Sequence, residues 1–185
     1  MKVYISESLY NIKSEELLSF LKKNHIDPEE LNYLGSGDFG EAYSTGDGRV
    51  LKKTRSDSEY KIALEILNKP SPIFDAFAKI YDVAKIEGYG YILMEELETD
   101  SEIEDLYNEL TSTLDEQGLP IQWVSHLDTD EVEISSELEA FIDGISDINR
   151  AYNYLGIEAS DIKPDNLGYD NSGNLKAFDI DNKQR

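Results

Sequence analysis

Apolar positions recur with two different periods along this chain, and the changes of period mark its organisation. Leu17, Leu18 and Leu21 follow Ser14-Glu15-Glu16 at helical spacing, so residues 14–24 are expected to form an amphipathic helix. Ser14 is placed to cap it, and the two acids suit the dipole of its first turn. Asp27-Pro28-Glu29-Glu30 reads as a turn or a short helical start. From Leu31 the pattern changes to strands. The runs 31–35, 41–45 and 49–54 are short and separated by glycine-bearing turns, with Gly46-Asp47-Gly48 as a hairpin link. Residues 57–68 return to the helical period and stop before Pro70, and 78–86 and 88–97 then read as a strand pair joined at Glu87-Gly88.

Beyond Leu97 the pattern weakens. Residues 98–135 are acidic and poorly periodic, with a turn at Gly118-Leu119-Pro120, and predict helices separated by a mobile loop. Residues 134–155 form a long helical pattern, with Ser135 or Ser136 near its cap and Gly156 just past its end. The stretch 167–181 predicts a hairpin with Asn171-Ser172-Gly173 at its tip. Strands with one helix, followed by mostly helix and a small hairpin, give an α+β chain in two lobes. The expected organisation is a helical extension over 1–30, a five-stranded lobe over 31–97 and a mainly helical lobe over 98–185.

Composition narrows the classes. The chain has 185 residues, 39% apolar and 10% aromatic, too much for a disordered acidic tail and enough for a real core. It has no cysteine and only His25 and His126, which excludes a disulfide scaffold, a thiolate zinc site, a cysteine nucleophile and a histidine metal cage. No apolar run approaches the roughly 18 residues of a membrane helix. The N-terminus lacks the apolar core of a signal peptide, so a cytoplasmic protein is expected.

The net charge of −22 is segregated: between Lys85 and Arg150 there is no Lys or Arg but 19 Asp and Glu. Nucleic-acid binding through phosphate neutralisation is disfavoured. A solvated acidic face and a docking surface for a basic protein both fit this distribution.

Three motifs carry candidate chemistry. Gly35-Ser36-Gly37-Asp38-Phe39-Gly40 lies between two strands, where glycines let backbone amides close over phosphates. A dinucleotide-binding turn would instead lead from a strand into a helix. In the next strand Val50 and Lys52 share a face, presenting one apolar contact and one ammonium together. Glu59 in the following helix is placed to orient that ammonium, with Lys53 and Glu65 as the competing members of such a pair. Asp161-Ile162-Lys163-Pro164-Asp165-Asn166 forms a compact polar loop after the long helix, and Asp179 follows the apolar strand beyond it. Asn and Asp oxygens are the hard donors that magnesium takes, usually with waters and substrate phosphates.

Taken in order, these elements resemble the eukaryotic-type protein kinase family. The resemblance implies a bilobal fold with a five-stranded N-lobe and a reduced, mainly helical C-lobe. It implies ATP and Mg2+ as cofactors. Gly35, Gly37 and Gly40 would cover the phosphates, Ala42 and Val50 would line the nucleotide site, and Lys52 would contact phosphate while pairing with Glu59. Met94-Glu95-Glu96-Leu97 looks like the hinge, with backbone groups of Glu95 and Leu97 holding adenine. Asp161 resembles the catalytic aspartate and Lys163 the partner of the transferring phosphate, the serine/threonine form of the loop. Asn166 and Asp179 resemble the metal ligands.

The departures matter as well. The family's His-Arg-Asp stands as Ala159-Ser160-Asp161, and Asp-Phe-Gly as Asp179-Ile180-Asp181. The resemblance covers residues 31–185 and only the nucleotide-binding portion of a kinase, a minimal form ending shortly after Asp179. The expected function is an ATP- and magnesium-dependent phosphotransferase with a Ser/Thr acceptor. The alternative is a weak or inactive kinase-derived scaffold that binds a basic partner through its acidic surface.

Overall fold

The computed structural model describes residues 14–128, 134–157 and 162–180. The chain is mixed α+β and divides into two compact units. The first holds the described residues up to Pro70 together with Lys79–Glu96; the second holds Ser71–Ala78 and the described residues from Leu97 onward.

The first unit begins with α1 (Glu15–Lys23). Ser14 Oγ accepts from the Leu17 amide, and Lys22 and Lys23 complement the dipole at the far end. Five strands follow: β1 (Asn32–Ser36), β2 (Gly40–Ser44), β3 (Arg49–Thr54), β4 (Ile80–Ile86) and β5 (Tyr89–Glu95), with α2 (Asp57–Asn68) between β3 and β4. They form one antiparallel sheet in the order β1-β2-β3-β5-β4. The β4–β5 turn is made by Glu87 and Gly88 at φ 51° and 85°, the double left-handed pair of a tight hairpin.

Strand alternation gives the sheet two different faces. On one, Tyr43, Leu51, Tyr91 and Leu93 join Leu17, Phe20 and Leu21 of α1 in a single apolar cluster. Each of those helix side chains contributes about 1.5–3 kcal/mol on burial. Lys23 Nζ and Asn24 Nδ2 both reach Asp82 on β4, at 2.7 and 2.8 Å. Burial opposes ionisation of Asp82, yet these two contacts hold its carboxyl below the usual carboxylate range. The other face carries Ala42, Val50, Lys52 and Ile92 in register. There α2 packs against β3, β4 and β5 and buries Glu59, Ala63 and Ile66.

The second unit is built on α3 (Ser101–Glu116) and α4 (Ser136–Leu155). Asp100 caps α3 and Ser135 caps α4, while Gly156 ends α4 in the left-handed conformation at φ 67°. Ile103, Leu106, Leu110 and Leu114 of α3 are buried, as are Leu138, Phe141, Ile145 and Ile148 of α4, and the two helices pack on each other. The weakly periodic stretch contains α3 and a 3-10 segment, Ile121–His126; residues 129–133 lie outside the described residues. The Gln117 side-chain amide ties this connection shut, donating to Asp128 O at 3.1 Å and accepting from its N–H at 3.2 Å.

A small hairpin, β6 (Leu167–Tyr169) and β7 (Leu175–Ala177), packs on α4. At Gly144 a Cβ would lie 2.8 Å from Leu175 Cβ, so only glycine admits this approach. A second packing partner comes from far upstream. The 3-10 turn Pro72–Ala76 places Phe74 and Phe77 against Tyr154 and Tyr152, and the Ala78 amide donates to Ala177 O at 2.9 Å. That bond commits Ala78 to the second unit, so the strand expected from residue 78 starts at Ile80.

The hairpin tip is organised by one carboxylate. Asp170 accepts from the Ser172 and Asn174 amides, from Asn174 Nδ2 and from Lys176 Nζ at 3.0 Å. Burial pushes its pKa up, but these donors outweigh burial and hold the carboxyl well below the usual range. A depressed folded-state pKa contributes stability that is present above the unfolded value near 4 and is lost as pH falls through the folded one. Asp170→Ala is therefore expected to cost about 1–3 kcal/mol at pH 7. Urea denaturation between pH 7 and 2 should show a shallower acid dependence in the variant than in the wild type.

Candidate functional site

The glycine-rich stretch is the β1–β2 hairpin. Gly35 lies in β1, Gly40 opens β2, and the turn is closed by the Gly37 amide donating to Gly40 O at 3.0 Å. The three glycines have different reasons. At Gly40 a Cβ would stand 2.1 Å from Lys53 O, so the β2–β3 pairing itself requires glycine. At Gly35 and Gly37 a Cβ would meet nothing within 4 Å. The fold does not demand glycine there, and the open space is what a ligand approaching the backbone would use.

On the adjoining strand β3 stands Lys52, whose Cα pairs with Ala42 on β2 and Ile92 on β5. Its Nζ forms an ion pair with Glu59 Oε1, and the Glu59 side chain is 1% exposed against 18% for Lys52. The competing partners are engaged elsewhere. Lys53 Nζ is 3.7 Å from Glu41 and 4.5 Å above the Tyr89 ring, and Glu65 pairs with Lys69 at 2.9 Å. Lys53 points to the opposite face, where a cavity of about 150 Å³ is lined by the hairpin, Arg55 and Tyr89. Lys52 takes no part in that cavity. Val50 and Ala42 flank Lys52 on its own face, both half-buried.

At the end of β5, the Glu95 amide donates to Lys79 O and the Glu96 amide to Gly48 O. Ser44 Oγ donates to Glu96 Oε2 at 3.0 Å. Glu95 belongs to the first unit and Leu97 to the second.

In the second unit, Asp161 lies outside the described residues. Lys163 is exposed and precedes the 3-10 turn Pro164–Asn166, which is closed by the Asn166 amide donating to Lys163 O. Asn166 is 6% exposed, and its carbonyl accepts from the Phe178 amide at 3.0 Å. The β6–β7 register thus brings Asn166 opposite Phe178, next to half-buried Asp179, at the open end of the hairpin. An amide and a carboxylate so placed offer two hard oxygen donors, a set that fits magnesium when phosphates and waters supply the rest. Among the described residues no cluster of three acidic or histidine side chains forms a cation cage of its own.

Two tyrosines that sequence reasoning passed over touch these loops. Tyr107 Oη donates to Ile162 O at 2.8 Å, and Tyr152 Oη donates to Asp179 O at 2.9 Å. Both sit on inward helical positions, where a tyrosine reads as core; only the hydroxyl hinted at a partner.

No protein-family model matches the chain, and no curated protein matches it either. Among the described residues no helix is long and apolar enough to cross a membrane.

The buried pair and the glycines separate by mutation. Lys52→Met strands the Glu59 carboxylate in the interior and is expected to cost about 3–5 kcal/mol, of which Glu59→Leu in the same chain restores a large part. Gly40→Ala should cost about 1–3 kcal/mol through its clash with Lys53 O. Gly35→Ala and Gly37→Ala should unfold like the wild type in urea.

Proposed function

We propose that the chain is an ATP- and magnesium-dependent phosphotransferase of the protein-kinase type, acting on an alcohol group and most directly on a protein serine or threonine. The bilobal architecture of that family and a cytoplasmic setting belong to the same reading. The observation that carries it is the Lys52–Glu59 pair: an ammonium directed by a carboxylate that is itself 1% exposed. It stands on the face that also presents Ala42 and Val50. A lysine restrained in this way is a fixed positive point, which phosphate positioning requires and a solvated strand lysine does not supply. The open space at Gly35 and Gly37 supports the same reading.

In this function the Gly35–Gly40 backbone would cover the phosphates and Lys52 would neutralise them. Adenine would lie against Ala42 and Val50, held by backbone groups of Glu95 and Leu97. Asn166 and Asp179 would hold magnesium, which supplies charge neutralisation on the phosphate oxygens. Asp161 would accept the proton of the acceptor hydroxyl while its oxygen forms the new bond to phosphorus and the bond to the ADP oxygen breaks. Lys163 would contact the phosphoryl group in transit. Chemistry of this kind rests mainly on positioning and charge stabilisation.

A second reading, a kinase-derived scaffold for a basic partner, is favoured by α3, which turns Glu102, Glu104, Asp105, Glu109, Asp115 and Glu116 outward with no basic side chain among them. The two readings differ on nucleotide and turnover.

Millimolar ATP with Mg2+ should raise the melting temperature of the wild type, about 2.7 kcal/mol of stabilisation being expected at one hundred times Kd. Asp179→Asn should lose most of the metal-dependent part, and Gly35→Ala and Gly37→Ala should weaken ATP binding without altering the ligand-free melt. Labelled ATP with and without cell extract should show phosphate transfer, abolished in Asp161→Asn while ATP binding persists. No thermal shift at millimolar ATP would remove the nucleotide claim; binding without any transfer would leave the scaffold reading.

A further inference from the structure

We propose that Tyr152 is the positioning residue for Asp179: its hydroxyl fixes the main chain there and so aims the carboxylate toward the metal. The inference rests on the magnesium reading of Asn166 and Asp179.

Asp179 lies two residues past the end of β7. Its surroundings leave it little freedom. On one side the Phe178 amide is bonded to Asn166 O, and on the other Ile180 is 2% exposed in the core. Between them the Asp179 carbonyl accepts from Tyr152 Oη at 2.9 Å. With the carbonyl tied to a donor and both neighbours anchored, the 179–180 peptide plane cannot turn. The direction of Cβ, and with it the reach of the carboxylate, follows from those backbone angles.

The donor is itself a fixed point. Tyr152 is 1% exposed in α4, and its ring packs against Phe77 with centroids 5.5 Å apart. Packing alone would be served equally by phenylalanine, so the hydroxyl has a separate role. A partner to a ligand of a metal usually acts in this manner, by holding orientation rather than by touching the ion. The other loop has the same device. Tyr107 of α3 donates to Ile162 O, one residue before Lys163. Burial raises the Tyr107 phenol pKa, which keeps that hydroxyl a donor at neutral pH.

The test uses the full chain with Tyr152→Phe, and Tyr154→Phe as a control on the same helix, Tyr154 being 64% exposed. Amide exchange at Asp179 and Ile180 is measured without ligand, and Mn2+ affinity is measured by electron paramagnetic resonance with ATP present. Tyr152→Phe is expected to speed exchange at those two amides while β6 and β7 keep their protection. It should weaken Mn2+ binding about ten- to a hundredfold, with metal-free ATP affinity unchanged. Tyr154→Phe should do neither. Wild-type Mn2+ affinity in Tyr152→Phe overturns the proposal, whatever happens to the melting temperature, because a merely structural hydroxyl would move only the latter. If the wild type itself binds no Mn2+ with ATP, the magnesium reading fails; unchanged exchange in Tyr152→Phe would then overturn the positioning role too, and faster exchange would sustain it.

Discussion

The carboxylate of Glu59 is the group the first unit can least afford to leave alone. Taking an ionised carboxyl out of water costs several kcal/mol unless a partner of opposite charge goes with it. In a chain with 39 acids and 17 bases, that partner has to be built into the fold. It is built within residues 52–59. Lys52 is aimed by the alternation of β3; Thr54, fully buried, accepts from the Ser56 amide and turns the chain; Ser56 then caps α2 by accepting from the Glu59 amide at 3.2 Å. Strand, turn, cap and ion pair therefore determine one another. The sheet face around Lys52 stays polar at this point and apolar at Val50 and Ile92, which is how a single surface comes to present both a charge and greasy contacts.

The second unit handles polarity differently. Its acids point outward from α3 and α4 while Ile103, Leu110, Ile145 and Ile148 meet inside, so the acidic region is the periphery of a well-packed helix pair. At the hairpin tip the largely buried Asp170 carboxylate is matched by Lys176, but beside the 162–166 and 178–180 loops the polar groups that enter are neutral donors. Two tyrosine hydroxyls and the Asn166 amide serve main-chain carbonyls and a short loop without bringing net charge into the interior. Beside those loops the arrangement avoids the desolvation penalty that an ion pair offsets at Glu59 in the first unit and at Asp170 in the second.

Much of the first unit was legible in the sequence because its signals are local. A short run between turns located β3 at Arg49–Thr54, and Asp57–Asn68 followed from a helical period that stops before Pro70. The preference for Lys52 and Glu59 over Lys53 and Glu65 depended on which face each occupies, and the structure decides it through register. Non-local partners left no such trace. The role of Ser71–Ala78 depends on bonds to β7, the starting point of β4 shifts with it, and Tyr107 and Tyr152 look like ordinary core residues until their hydroxyls are located. The acidic stretch was ambiguous because α3 exposes most of its residues, which dilutes the apolar period to one narrow stripe.

The placement of Phe74 and Phe77 has a consequence for how the chain comes to be folded. These rings emerge during synthesis well before α4 and β7, yet they pack on Tyr154 and Tyr152 of α4, and Phe77 bridges to Ala177 about a hundred residues later. Closing so long a loop is entropically costly and slow, and contacts of this range set the pace of folding. Until then two aromatic side chains remain without their cover, a transient hazard for association with other chains. The second unit is thus assembled from two separate stretches of the sequence, and separating the chain after Glu96 would deprive it of part of its own core.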